Sequence, residues 1–139
     1  MKNLRALGLL IWLLVLAGPV SACECSSADA QAAEQSSATL DSWQSIYAAH
    51  KRFGHCDDGA IAQGFTESVV HLLATRWSSL AEAQRLFAKD PPFQQFVVRH
   101  IDASADSAEL GQIAALAKQQ CSVSDKLLCN QILEAALDQ

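Results

Sequence analysis

From position 40 to position 137 the large apolar residues recur every three or four places, and no segment alternates convincingly with period two. Leu40, Trp43, Ile46, Tyr47, His50 and Phe53 form one stripe, and Gly54 is placed to end the helix that carries it. Asp57 or Asp58 then caps a second helix, whose face runs through Ile61, Phe65, Ser68, Val69, Leu72 and Arg76. Val70, Leu73 and Trp77 widen that face, which predicts the central helix of a bundle. Ser79-Leu80-Ala81-Glu82 matches a capping box and opens a third helix that stops before Asp90. Asp90 as N-cap, with Pro91 at the first helical position, opens a fourth through Phe93, Phe96, Val97, His100 and Ile101. Asp106 with Glu109 opens a fifth through Leu110, Ile113, Ala114, Leu116 and Ala117. After a break at 122–125, a sixth carries Leu127, Leu128, Ile132, Leu133, Ala136 and Leu137. There is no internal repeat. The expected fold is all-α: a compact bundle of five to six short amphipathic helices.

The N-terminus reads differently. Lys2 and Arg5 precede an apolar run from position 7 to 17, broken only by Gly8, and small residues follow. That run is too short to span a bilayer and predicts a secretory signal peptide over residues 1–22. Val20-Ser21-Ala22-Cys23 resembles a bacterial lipobox, in which the cysteine is acylated and becomes the mature N-terminus. Simple cleavage after Ala22 also fits the same residues. In lipoproteins an Asp after the acylated cysteine is the usual signal for inner-membrane retention, so Glu24 implies the outer membrane. Residues 24–38 contain no aromatic or large aliphatic side chain. Residues 23–38 are therefore expected to be a flexible tether, spanning on the order of 20 Å, ahead of a single helical domain at 39–139.

The cysteine count bears on this. Five cysteines, at 23, 25, 56, 121 and 129, are an odd number for an exported chain. Acylating Cys23 leaves four, an even set for two disulfides in an oxidising compartment. On one continuous helix Cys121 and Cys129 would lie about 12 Å apart, too far to bond. The break at 122–124 brings them together, so Cys121–Cys129 is the first pairing expected, leaving Cys25 for Cys56.

Charge narrows the partners. The chain has 10 basic and 15 acidic residues, and losing Lys2 and Arg5 with the leader makes the net charge −7. That disfavours nucleic acid and suits a basic protein partner.

Chemistry is sparse. His50, His55, Cys56, Asp57, Asp58, His71 and His100 are all metal-ligand types, but no CxxC or HExxH spacing is present. Asp57 and His71 would share a helix face yet lie about 21 Å apart. The adjacent His55 and Cys56 side chains diverge, which argues against a thiol–imidazole pair. No catalytic, cofactor-binding or metal-ligating residue is assigned, and no cofactor is expected. The polar set to test is His50, Asp57, Asp58 and His100, with His50 or His100 expected to hydrogen-bond Asp57 or Asp58 and pin the corner between the first two helices. His71 lies on a flank of small residues, Ala60, Gly64, Ala74 and Ser78, suited to close helix packing.

The overall organisation resembles that of periplasmic immunity or inhibitor proteins that neutralise toxins. The leading expectation is an exported bacterial envelope lipoprotein, anchored to the outer membrane through Cys23, that binds a protein partner without catalysis. A structural or sensory envelope protein, and a small enzyme or metal binder built on the His/Asp set, are the alternatives.

Overall fold

A computed structural model describes residues 24–37 and 39–138; the expected signal peptide and Cys23 lie outside them. Among the described residues there are seven α-helices and no strand: α1 (Ser27–Ser37), α2 (Trp43–Phe53), α3 (Gly59–Thr75), α4 (Leu80–Lys89), α5 (Pro91–Arg99), α6 (Ser107–Gln119) and α7 (Lys126–Leu137). Single 3-10 turns precede α3, α4 and α7. The all-α class holds, and the count is seven rather than five to six.

The additional helix is α1, formed by residues expected to be a tether. Its alanines favour helix, and the Ser26 hydroxyl accepts the Asp29 amide at its start. Only Ala33 is buried, and the helix packs against α2 and α3. Apolar area alone would not order this segment. A disulfide from Cys25 to Cys56 supplies what the composition lacks.

The middle of the bundle is α3. Ile61, Phe65, Thr66, Val69, Val70, Leu72, Leu73 and Ala74 are buried on it, too many for a single stripe, and α1, α2 and α6 all pack around it. Its small-residue flank meets α1: a Cβ on Gly64 would sit 2.7 Å from that of Ser37, so only glycine permits this approach. On the same side His71 Nδ1 lies 2.9 Å from Glu109 Oε1 of α6. Helices α6 and α7 form a hairpin closed by a Cys121–Cys129 disulfide, with Cα atoms 6.2 Å apart.

Several expected helix signals are used otherwise. Ser79 makes no side-chain cap on α4; its hydroxyl accepts from Trp43 Nε1 at 2.9 Å and donates to the Arg76 carbonyl. Asp90 is the N-cap residue of α5 ahead of Pro91, as expected, and its carbonyl accepts the Phe93 amide, but its side chain makes no cap bond, because the carboxylate accepts from Tyr47 and Lys51 across the bundle. Gly54 has ordinary helical angles and continues into a 3-10 turn, while the left-handed residue is Gly59, with φ of 54°. What Gly54 provides is clearance, since a Cβ there would come within 3.1 Å of His50 Nδ1. Leu127 and Leu137, expected on the apolar face of the last helix, are exposed.

Candidate functional site

Aromatic rings dominate the interior between α2, α3 and α5. Tyr47 meets Phe93 edge-on at 4.9 Å, His50 lies 4.3 Å from Phe96, and Phe96 lies 4.4 Å from His100. Phe65 of α3 closes against Phe96 at 5.0 Å. The two histidines thus lie against one phenylalanine, and the polar corner is built on this apolar floor.

Asp57 is the hub of that corner. It follows the 3-10 turn Gly54–Cys56, and its carboxylate, 8% exposed, accepts from His100 Nε2 at 3.2 Å and from the Arg99 guanidinium. His100 caps the end of α5 with its backbone and is buried. On its other side Nδ1 lies 3.0 Å from Thr66 Oγ1, and Thr66 donates to Asp102 Oδ2 at 3.0 Å. Asp102 is held in turn by the amide and hydroxyl of Ser104. The chain therefore runs Arg99, Asp57, His100, Thr66, Asp102, and it ties the start of α3 and its second turn to the end of α5.

Proton counting defines what this chain needs. One hydroxyl proton serves one acceptor, so with Thr66 donating to Asp102 it must accept from an Nδ1–H. A carboxylate only accepts, so Asp57 requires an Nε2–H. The two contacts engage both ring nitrogens of His100, while on Asp57 both His100 and Arg99 meet Oδ2, and Oδ1 is buried with no hydrogen-bond partner.

Burial by itself would raise the pKa of both aspartates, but their partners outweigh it. Hydrogen bonds and charge from His100 and Arg99 hold Asp57 below the ordinary carboxylate value, and Ser104, Thr66 and His100 do the same for Asp102. His50 is shifted downward too, chiefly by burial, with the Asp90 charge opposing.

Of the four residues proposed from sequence, the structure joins Asp57 and His100. His50 stacks on Phe93 and Phe96, and its Nδ1 is buried with no hydrogen-bond partner. Asp58 is the N-cap of α3, accepting from the Gly59 amide at 2.8 Å. Arg99, Thr66 and Asp102 were not anticipated. The signal for Asp102 was its position two residues after His100, masked by the turn-like segment that contains it.

Asp57, His100 and Thr66 have the connectivity of an acid–base–hydroxyl triad. Thr66 is 1% exposed and His100 3%, so the hydroxyl has no surface on which to meet a substrate. What the arrangement does is fix a corner. No group of three or more His, Cys, Asp or Glu side chains among the described residues could hold a metal ion. One surface depression, of about 430 Å³, lies beside the Leu127 end of α7, and another, of about 410 Å³, between α5 and α7 is lined by Gln94, Val98, Arg99, Gln131 and Glu134. No protein family, no characterised protein and no solved structure gives a significant match to this chain.

Proposed function

We propose that this chain is an exported bacterial envelope lipoprotein, anchored to the outer membrane through Cys23, that acts by binding a protein partner. The observation that carries the reading is the cysteine pairing. Cys25 bonds Cys56 and Cys121 bonds Cys129, so the four downstream cysteines use one another and Cys23 is the one left over. It stands at the last position of Val20-Ser21-Ala22-Cys23. Two disulfides also suit an oxidising compartment. The buried triad supports a structural use of its residues, and the acidic surface suits a basic partner of the immunity or inhibitor type.

The test is the intact mass of the protein recovered from bacterial membranes. Acylation at Cys23 predicts a chain beginning at that residue with added acyl mass, and a Cys23→Ser variant that leaves the membrane fraction. A mature chain with an unmodified Cys23 refutes the anchor. For the partner, cross-linking in intact envelopes followed by mass spectrometry should return one stoichiometric protein, and its absence counts against the binding role.

A further inference from the structure

We propose that the Cys25–Cys56 disulfide is an orienting clamp, which mounts the α2–α3 corner directly on the lipid anchor and, when reduced by a dithiol, frees α1 to become a leash. The mount rests on the lipoprotein reading; the release of α1 does not.

The geometry begins at Cys25, an exposed residue two positions beyond Cys23. Two residues span at most about 7 Å, so an acyl chain on Cys23 would hold Cys25 at the headgroups. Cys56 is buried in the 3-10 turn ahead of α3. In the oxidised protein the anchor is therefore joined to a packed corner, without 15 residues of coil between them. The 17 residues of α3 run about 25 Å away from that corner. At their far end lie Trp77 and the Cys121–Cys129 turn, which together line one depression. Val123 and Leu127, 82% and 83% exposed, belong to that turn and the helix after it. The clamp thus turns the most exposed apolar side chains away from the lipid.

The same bond is what keeps α1 in place. Eleven residues are too few for an isolated helix to be stable in water, and this one buries a single alanine. Its other ties include the half-buried Ala30 and Ala32 against the core, the His55–Asp29 pair at 3.6 Å and the Ser37–Gly64 contact. Closing a loop with a sequence separation of 31 suppresses opening of its ends on the order of 10²–10³-fold. In the exchange, a thiolate of the dithiol attacks the accessible Cys25 sulfur, and Cys56 leaves as thiolate and takes a proton. The second thiol then attacks the mixed disulfide, releasing Cys25 as a thiol and the reagent as its own disulfide. Two electrons and two protons pass to the protein. Residues 24–38 can then extend on the order of 20 Å.

The experiment uses the membrane-extracted full protein in vesicles of phosphatidylethanolamine and phosphatidylglycerol. Amide exchange is followed by mass spectrometry over residues 27–37 and 59–75, with and without dithiothreitol. Reduction should speed exchange in α1 by on the order of 10²-fold or more while α3 keeps its protection. A Cys25→Ser, Cys56→Ser double variant should match the reduced protein, and Cys121→Ser with Cys129→Ser should leave α1 unchanged. Reduction of folded protein supplies the answer if the first variant does not fold. With bromine-labelled acyl chains in the vesicles, fluorescence of Trp43 and Trp77 should stay unquenched in the oxidised form. An α1 that stays protected after reduction, or that opens only together with α3, overturns the clamp. Quenching in the oxidised form overturns the orientation, and an unacylated mass overturns the lipoprotein reading and the mount with it.

Discussion

Asp57→Ala should be the most damaging polar substitution in the bundle, and its cost can be assembled from its partners. Removing the carboxylate strips the acceptor from the buried His100 Nε2–H, which costs about 1–3 kcal/mol. Arg99 also loses its partner, but its side chain is 63% exposed and returns to water, so that pair adds at most about 1 kcal/mol. The sum is about 1–4 kcal/mol, against at most about 1 for Arg99→Ala. Asp57→Asn keeps one acceptor oxygen and should fall between them, at about 1–2 kcal/mol. Urea unfolding of the three variants at pH 7 measures this, with a loss of 3 kcal/mol moving the midpoint by about 2 M at a typical slope.

The pH dependence tests the same hub independently. Because the folded state holds Asp57 below its ordinary value of 3.8, the unfolded chain binds the proton first on acidification. Its stabilisation is whole above pH 3.8 and is lost as pH falls through the lower, folded value. Asp57→Asn should flatten that acid limb, although Asp102 leaves a residual slope of the same sign. Equal losses for Asp57→Ala and Arg99→Ala, or an unchanged acid limb in Asp57→Asn, would refute the buried network as a source of stability.

His50 should add a second, milder limb: its folded value lies below 6.5, so stability is whole above that pH and falls as pH drops through the folded value. His50→Phe, which keeps the stacking on Phe93 and Phe96, should flatten urea midpoints between pH 7 and 5; an unaltered slope there defeats the assignment. Gly64→Ala should lose about 1–3 kcal/mol or detach α1, because the new Cβ meets Ser37 at 2.7 Å; calorimetry together with proteolysis within residues 27–37 distinguishes the two results, and neither loss contradicts the contact. Trp43→Phe removes the Nε1–H that Ser79 accepts at 2.9 Å and should cost about 1 kcal/mol or more in thermal unfolding.

The six helices from α2 to α7 were legible because their burial is periodic, and periodicity needs no knowledge of neighbours. Apart from the Asp57–His100 pair, 43 residues apart, the polar residues were legible only where their partners are local. Asp106 could be read as a cap because the Ala108 and Glu109 amides it accepts lie within its own first turn. Asp90 and Ser79 carry equally good capping signals, yet Tyr47, Lys51 and Trp43 claim them from 36 to 43 residues away. The Ser42 capping box went unread because its partner is Ser45, where a Glu or Gln is the usual signature. Helix α1 escaped for a related reason: its order depends on a covalent tie and a glycine in α3, neither of which its own composition reports.

Cys56 and Asp57 are neighbours that hold the same corner from opposite directions. Cys56 reaches back 31 residues to secure α1, and Asp57 reaches forward 42 and 43 residues to the end of α5. Neither tie passes through the other: Cys56 makes no part of the Asp57 hydrogen-bond chain, and α1 contributes no member to it. Opening the disulfide therefore leaves α3 fastened to α5. Losing Asp57, in contrast, loosens the very turn in which Cys56 sits. Coupling between the two should accordingly be asymmetric in what it moves. Reduction should raise exchange in α1 alone, whereas Asp57→Ala should raise it in residues 54–66 and in α1 together, because the helix remains bonded to a corner that has lost its other support.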